Sequence, residues 1–365
     1  MKRTLLFLTL TAALAISLAG CSGDPLSPDT TTPAIGAVTQ TEKASSRSKI
    51  VVANRGSGTI SVLDAHSGAI LGTYDLPQAE GDLQPEPMYV NEVRGHRRVF
   101  VGDRANDRVA VFDSRTFEVI GTVPAGRGVF HQWVNRTGDQ LWVNNDIDNT
   151  ITVIDPASLT VLATVALPAD LVAMGGKPHD VILGPHGRHA FVTMVGFMGE
   201  NDYLVRYDTS GFAESGRLAV GKDPHVSIGP GTMLYVPCQN TDQVLVVDHR
   251  SLEIMDELMI PGAHGATMSR NGKRFYTTNL PGSGIGALYT VDTRGNEILG
   301  DPVDTPYPVP HNLAVTPDGR RLFVTHSGGD SDKVTFYRLA GSDRLPVYLG
   351  ETTVGLNPFG IGLVN

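Results

Sequence analysis

Histidines that recur at regular spacing are the residues of this chain best suited to chemistry. The 365-residue sequence contains 11 histidines, and five of them begin successive copies of an internal repeat. Aligned on that repeat, one position is occupied by Met88, His131, His179, His225, His264, His311 and Phe359. Neutral imidazole is a common ligand of zinc, copper and iron. If the repeats close into a ring, these side chains gather around one axis and can hold a metal ion or a metal-bearing cofactor.

A second repeated position adds further metal-ligand chemistry. Each repeat contains a tetrad such as FVTM or FVTH, and the tetrads end in Asn54, Asp103, Asn145, Met194, Cys238, Thr278 and His326. Imidazole, thiolate and thioether together suit copper or zinc, and the thioether favours Cu(I). We therefore expect His326, Met194 and Cys238 to form a second layer beside the histidines, with Met88 completing the candidate metal site. The alternatives are a polar, water-filled channel and an organic-ligand pocket in which histidine acts as acid or base.

The repeat that carries these positions predicts four short antiparallel strands per copy. Residues 131–155, 179–208 and 311–339 each contain apolar runs separated by a polar glycine turn and a loop. The third run of most copies ends in aspartate, which predicts an Asx-type turn. Successive histidine-slot positions are 39 to 48 residues apart. Four strands in about 40–45 residues are typical of a propeller blade.

The two ends of the repeat region are incomplete in complementary ways. Residues 50–76 contain three strands and lack the leading one, whereas residues 358–365 supply a single strand. Pairing of the N- and C-terminal strands would complete a blade and remove an exposed sheet edge. The sequence therefore predicts an all-β, seven-bladed β-propeller over residues 49–365.

The tetrads resemble those of YVTN-type seven-bladed propellers. They are VVAN (51–54), FVGD (100–103), WVNN (142–145), FVTM (191–194), YVPC (235–238), FYTT (275–278) and FVTH (323–326). This resemblance implies the fold and leaves the function open, because such propellers serve as enzymes, electron-transfer partners and scaffolds. In architecture and ligand type the chain is similar to the histidine-lined propellers of nitrous oxide reductase and methanethiol oxidase, which implies copper.

The N-terminus has the pattern of a secretory signal. Lys2 and Arg3 precede an apolar run, so residues 1–20 are predicted to be a signal peptide. The LAGC sequence that ends at Cys21 resembles the bacterial lipobox, which implies acylation of Cys21. Ser22 then suggests the periplasmic side of the outer membrane. Residues 22–48 are rich in Ser, Thr, Pro and Ala and predict a flexible linker, so we expect a monomer held at the membrane by lipid alone.

Composition excludes several classes of partner. The formal net charge is −9, which argues against nucleic acid. The sequence contains no Walker loop or dinucleotide fingerprint, and no CxxCH motif for a covalently attached c-type haem. Cys238 has no disulfide partner if Cys21 carries lipid.

Three functions remain open from the sequence. The first is an envelope lipoprotein that binds a metal, with copper ahead of zinc. The second is an enzyme that acts on a small molecule with histidine as general base, and the third is a scaffold for other envelope proteins. Whether the protein is an enzyme stays undecided. The remaining histidines are predicted to lie on the surface: His66, His96, His186, His189 and His249.

Overall fold

A computed structural model of the chain describes residues 48–280 and 286–365. The predicted signal peptide, the lipid anchor at Cys21 and all but the last residue of the predicted linker lie outside the described residues, so they remain predictions. Within the described residues, no helix combines the length and the apolar character needed to cross a membrane.

The described chain forms seven antiparallel sheets, each built mainly from consecutive strands. Blades 1 and 2 contain β1 (Lys49–Asn54), β2 (Thr59–Asp64), β3 (Ile70–Asp75), β4 (Pro87–Val93), β5 (Arg98–Asp103), β6 (Arg108–Asp113) and β7 (Val119–Pro124). Blades 3 and 4 contain β8 (Val129–Val134), β9 (Leu141–Asn145), β10 (Thr150–Asp155), β11 (Thr160–Ala166), β12 (Lys177–Leu183), β13 (His189–Val195), β14 (Asp202–Asp208) and β15 (Glu214–Val220).

The remaining strands complete the ring. Blades 5 and 6 contain β16 (Ser227–Ile228), β17 (Met233–Cys238), β18 (Gln243–Asp248), β19 (Glu253–Met259), β20 (Ala263–Met268), β21 (Arg274–Asn279), β22 (Ala287–Asp292), β23 (Glu297–Ile298) and β24 (Val303–Asp304). Blade 7 contains β25 (Pro310–Val315), β26 (Arg321–His326), β27 (Lys333–Ala340) and β28 (Leu345–Thr353), and β29 (Pro358–Val364) returns to blade 1. A short helix, α1 (Ala169–Ala173), and 3-10 turns at Arg94–His96 and Gln239–Thr241 lie in connections.

The predicted seven-bladed β-propeller is confirmed, including its closure. Strand β29 pairs antiparallel with β1, with Lys49 opposite Val364 and Asn54 opposite Pro358. The sheet order β29-β1-β2-β3 therefore combines the two ends of the chain in one blade. No edge of this blade's inner strands is left open, as the missing leading strand predicts.

The hydrophobic core is distributed over the seven interfaces between neighbouring blades. The second and third strands of each blade are rich in Val, Ile, Leu and Phe, which pack well on a pleated sheet. Between blades 1 and 2, for example, Val51 and Val62 pack with Val101 and Phe112. Outer strands are half exposed, as in β3, where Ile70 and Leu71 face solvent.

The innermost strand of most blades has a β-bulge near its start. In β12, Pro178 pairs with Met194, but Val181 pairs with Val192, so one extra residue is accommodated between them. The bulge presents His179 and Asp180 together at the channel mouth. Bulges commonly re-aim side chains beside functional sites.

Candidate metal centre

Five histidines form one cluster at the mouth of the channel where the inner strands begin. They are His131, His179, His225, His264 and His311, from blades 3 to 7. Consecutive ring centroids lie 5.4, 4.6, 4.0 and 4.7 Å apart in that order. The repeat thus brings these side chains around one axis. We call this group the histidine cluster and this side of the propeller the histidine face.

Three members of the cluster are close enough to share an ion. One ligand nitrogen from each of His131, His179 and His225 lies within 4.8 Å of the others. The Nε2 atoms of His131 and His225 are buried and have no hydrogen-bond partner. Nitrogens bound at 2.0–2.1 Å to one tetrahedral ion are roughly 3.3 Å apart, so the rings need to close by about 1–1.5 Å. Buried, unpartnered imidazole nitrogens at this separation fit a transition metal.

Asp180 contacts the Nδ1 atoms of two histidines of the cluster and so orients their rings. Its Oδ1 lies 2.8 Å from Nδ1 of His131 and accepts a hydrogen bond from the backbone N–H of Val181. Its Oδ2 accepts from the backbone N–H of Val226 and lies 3.7 Å from Nδ1 of His225. A carboxylate on Nδ1 fixes the tautomer that leaves Nε2 free for a metal. Sequence reasoning did not identify Asp180, although it directly follows His179.

The two other histidines differ in their readiness to bind metal. Nδ1 of His264 lies 2.8 Å from Oε1 of Gln239, and its buried Nε2 has no partner. Nδ1 of His311 instead lies 2.7 Å from the amide nitrogen of Asn312, which also donates to the carbonyl of Phe359. The same Nδ1 also lies 3.4 Å from the carbonyl oxygen of Phe359, so local partners already engage this nitrogen. His264 is therefore a candidate fourth ligand, whereas His311 is a wall of the site.

The register of β8 corrects the sequence alignment. Val129 pairs with Asn145 and Gln132 with Val143, so Phe130 occupies the place that His179 takes in β12. His131 corresponds to Asp180, one residue further along. The prediction that His131 shares one repeated position with the other four histidines is therefore wrong by one residue. The bulge compensates, because it exposes both of its residues to the mouth.

Glycine fills the second bulge position where neighbouring strands come closest. A Cβ on Gly265 would lie 1.9 Å from the carbonyl oxygen of His311, and one on Gly360 would lie 2.1 Å from that of Met88. Contacts this short exclude any side chain without movement of the backbone. These close approaches bring blade 6 against blade 7 and blade 1 against blade 2 beside the cluster.

Burial favours the neutral form of four histidines of the cluster, His131, His179, His264 and His311, by lowering the pKa of each. Burial lowers the pKa of His131 and His179, and the negative charge of Asp180 opposes the shift. Burial, together with the neighbouring imidazoles, holds the pKa of His264 well below its usual range and lowers that of His311 to about 3. Burial would raise the pKa of Asp180, but His131 and His225 together hold it well below its ordinary value. At neutral pH these four histidines therefore offer imidazole lone pairs beside one carboxylate.

These shifts predict that acid destabilises the metal-free protein. Folded-state pKa values below the unfolded value near 6.5 mean that the unfolded chain binds more protons as the pH falls. The free energy of unfolding should therefore decrease from pH 6.5 towards about 3, by roughly 1.4 kcal/mol per pH unit for each such histidine. Urea titrations at several pH values, with chelator present, measure this slope. His311→Gln should flatten it, the exposed control His66→Gln should not, and a stability unchanged between pH 7 and 4.5 would contradict the assignment.

The residues predicted as a second layer lie apart from the cluster. Met194 packs in the apolar interface of blades 3 and 4, beside Trp142 and Val192. Cys238 is buried in the next interface, where burial raises the pKa of its thiol to about 12. Because strand residues alternate between the two faces of a sheet, the ends of these second strands point into blade interfaces. The prediction that these two side chains flank the histidines is therefore not met.

His326 and Met88 also serve packing. Nδ1 of His326 lies 3.1 Å from the carbonyl of Pro308, and Nε2 lies 2.9 Å from Oγ1 of Thr335. Both ring nitrogens are thus occupied within its own surroundings. Met88 is fully buried, and the next residue, Tyr89, stacks on His131 with ring centroids 3.7 Å apart.

One histidine predicted to be on the surface is buried. His249 is 6% exposed and packs edge-on against Phe191. It directly follows a third-strand aspartate, and the equivalent residues of other blades, Ala65, Ser114 and Thr209, are buried as well. It lies outside the histidine cluster.

Three aromatic side chains contact the histidine cluster, and we call them the aromatic floor. Phe130, Phe359 and Tyr89 form a triangle with ring centroids 5.6 to 6.1 Å apart. The guanidinium of Arg104 lies 5.6 Å from the ring centroid of Phe130, and that of Arg55 lies 5.5 Å from that of Phe359. Beyond the cluster, the channel contains a cavity of about 680 Å³.

Comparison with known proteins supports the fold and gives partial relatives. No family model matches the chain. The chain is similar to protein NirF of Pseudomonas aeruginosa, with 33% identity over 107 residues, 28% of this chain. That match spans only 27% of the length of NirF.

Solved structures show the same architecture. The periplasmic gluconolactonase of Pseudomonas aeruginosa superposes with a TM-score of 0.67 and 18% identity, over 88% of this chain and 99% of that one. The dihydro-haem d1 dehydrogenase NirN, solved in complex with DHE, gives 0.58 and 16%, over 86% and 74%. The chain is a seven-bladed propeller. At these identities the similarity supports the fold alone. Evidence for a metal site comes from the histidine cluster of this chain.

Proposed function

We propose that this propeller binds one transition metal ion through His131, His179 and His225. The observation that carries the proposal is their convergence, with ligand nitrogens within 4.8 Å and two Nε2 atoms buried and unpartnered. We propose His264, whose ring centroid lies 4.0 Å from that of His225, as a fourth ligand. The site binds and holds the ion, and the bound ion supplies Lewis-acid or redox chemistry.

The donor set favours copper and then zinc. Three or four neutral imidazoles suit both ions, and the general order of affinities places Cu²⁺ above Zn²⁺. The sulfur atoms of Met194 and Cys238 lie in blade interfaces, so the argument for Cu(I) from thioether ligation no longer applies. The reason to test copper first is now the set of imidazole ligands alone.

Asp180 is the positioning residue of the proposed site. It holds Nδ1 of His131 at 2.8 Å and so directs Nε2 towards the other rings. Its negative charge also offsets part of the positive charge of a bound ion. Loss of such an outer partner typically weakens metal binding by about 10–100-fold.

Metal content of the full chain tests the proposal. Protein loaded with Cu²⁺ or Zn²⁺ and dialysed should retain one ion per chain by elemental analysis. Asp180→Asn should weaken binding by about 10–100-fold. It should also lower the melting temperature of the metal-free protein, because the amide nitrogen faces one of the two backbone N–H groups that donate to the carboxylate. Asp148→Asn, a carboxylate change at a half-buried residue outside the cluster, is the control and should leave affinity unchanged. Wild-type protein that retains neither metal would refute the proposal.

A second candidate is a planar cofactor whose metal binds the same histidines. The aromatic floor of Phe130, Phe359 and Tyr89, with Arg55 and Arg104 above it, suits a flat ring system that carries carboxylates. The partial similarity to NirF and the fold shared with NirN point in the same direction. Titration with haemin tests it: a sharpened Soret band that Phe359→Ala weakens while Cu²⁺ binding persists favours the cofactor.

We also propose that the protein acts in the bacterial envelope. The lipobox-like sequence at Cys21 supports this location. So does the likeness in fold to a periplasmic gluconolactonase.

A further inference from the structure

The channel mouth opposite the histidine face is ringed by positive charge. Turns between the first and second strands of the blades surround this mouth. Within the described residues, these turns carry seven exposed cationic side chains: Arg94, Arg97, Arg136, Arg188, Arg270, Lys273 and Arg320. Only two acids lie in the same turns, Asp139 and Asp318. We call these turns the basic collar. The collar reverses the sign of a chain whose net charge is −9.

Three collar arginines have a neighbouring acid: Glu92 for Arg94, Asp113 for Arg97 and Asp318 for Arg320. Arg94 makes only a long contact, with Nε 3.7 Å from Oε2 of Glu92, and that oxygen accepts a hydrogen bond from the backbone of Asn365. The two acids are held within their own turns. Asp139 accepts from Thr137, and Asp318 accepts from Thr316 and from the backbone of Arg320. A ring of one sign around a narrow opening focuses the field and attracts anions.

The walls of the cavity behind the collar combine aliphatic and polar side chains, and the polar ones include Asn91, Glu92, Gln132, Thr267 and Thr316. Its volume is about 680 Å³, within the usual range for a small-molecule pocket. The inner strands supply aliphatic side chains along its length, among them Val90, Ile182, Val226, Leu313, Val315 and Ile361. Arg94 and Arg270 border its open end, and His131, Asp180 and Asn312 border its far end.

The shape of the cavity restricts the ligand further. Tyr89 lies at the far end and Arg94 at the collar, five residues along one inner strand and the turn that follows it. At about 3.3 Å per residue, the cavity is roughly 16 Å long. A long space with aliphatic side chains on its walls and a cationic entrance suits an extended chain with an anionic end.

We propose that the channel binds an alkyl carboxylate, or an anion of the same kind, with its head group at the basic collar and its chain along the axis. The walls then replace water around the methylene groups, and Arg94 and Arg270 pair with the head. The far end of the cavity adjoins the proposed metal site, because His131, His225 and Asp180 line it. The head group is proposed to bind at the opposite end, where Arg94 and Arg270 lie, so its binding does not require a metal ion. Metal-free protein should therefore bind the alkyl anion.

Calorimetric titration of the metal-free full chain tests the proposal with matched ligands. Dodecanoate should bind, octanoate more weakly, and acetate not at all, because each methylene buried adds affinity. Dodecyltrimethylammonium, with the same chain and the opposite charge, should bind at least about 10-fold more weakly than dodecanoate. Equal binding of the two 12-carbon ligands, or no dependence on chain length, would overturn the proposal in favour of a water-filled channel.

A pair of variants locates the head group. Arg94→Gln with Arg270→Gln should weaken dodecanoate binding by about 10-fold or more, since each contributes a charge-assisted contact. Arg127→Gln with Lys177→Gln removes the same charge from the histidine face and should leave dodecanoate binding unchanged. Both pairs are exposed, so the fold should be retained in each. An effect of equal size in both pairs would show general charge attraction and overturn the assignment. If wild-type protein bound dodecanoate but not Cu²⁺, the proposed metal site would be refuted and the alkyl-anion site would stand.

Discussion

Replacing His179 and His225 together with alanine should lower the affinity for Cu²⁺ by more than about 100-fold, beyond the loss typical of an outer-shell partner. The two residues supply two of the three nitrogens within 4.8 Å, so one imidazole of that group would remain. Neither side chain belongs to the apolar interfaces between blades, and the melting temperature of metal-free protein should therefore change little. Competition against a chelator of known affinity measures the loss.

The controls for this experiment follow from the structure. His66 and His186 are exposed, so replacing both with alanine should leave Cu²⁺ affinity unchanged. His326→Gln should also have little effect, since both nitrogens of that ring already have partners. If the His179 and His225 double variant retained as much Cu²⁺ as wild type, the cluster would be a solvated part of the channel.

Deleting residues 356–365 should abolish cooperative unfolding at the temperature of the intact protein. The deletion removes β29, exposes the edge of β1 and removes Val364, Ile361 and Leu363 from two blade interfaces. Such a loss is expected to exceed about 5 kcal/mol, comparable with the stability of a whole domain. Thermal unfolding followed by circular dichroism measures it.

A peptide distinguishes an open ring from general misfolding. A synthetic peptide of residues 356–365 should bind the truncated chain and raise its melting temperature, since it can pair with β1. Removal of Asn365 alone is the matched control and should leave the melting temperature nearly unchanged, because β29 ends at Val364. An unchanged melting temperature of the full truncation would contradict closure by this strand.

The architecture could be predicted from the sequence because the same strand pattern occurs in every blade. Tetrads such as those ending at Asn54 and His326 each mark a second strand, and their spacing counts the blades. The incomplete first blade and the lone strand at residues 358–364 were visible as complementary fragments. Agreement among several equivalent segments compensates for the weak signal of any one short strand.

The site was predictable only in part, because its details depend on register. The β-bulge brings two consecutive residues to the mouth, so Asp180 lies there beside His179 in β12. In β8 the equivalent two residues are Phe130 and His131, so His131 occupies the second position of the bulge and not the first. A bulge leaves no distinct residue pattern in a single sequence. Met194 and Cys238 were misplaced for a related reason, since the repeat gives the height of a residue on its blade and not the side to which it points.

The pairing of β1 with β29 sets the order in which the molecule can be completed. Lys49 and Val364 are about 315 residues apart in sequence. Strand β1 is therefore synthesised long before β29, and blade 1 cannot be completed until β29 is available. Contacts between such distant residues form slowly, and a waiting strand edge invites pairing with other chains. The late step of folding should therefore be sensitive to protein concentration. A chaperone that shields β1 during synthesis or export would act on the most vulnerable intermediate of this chain.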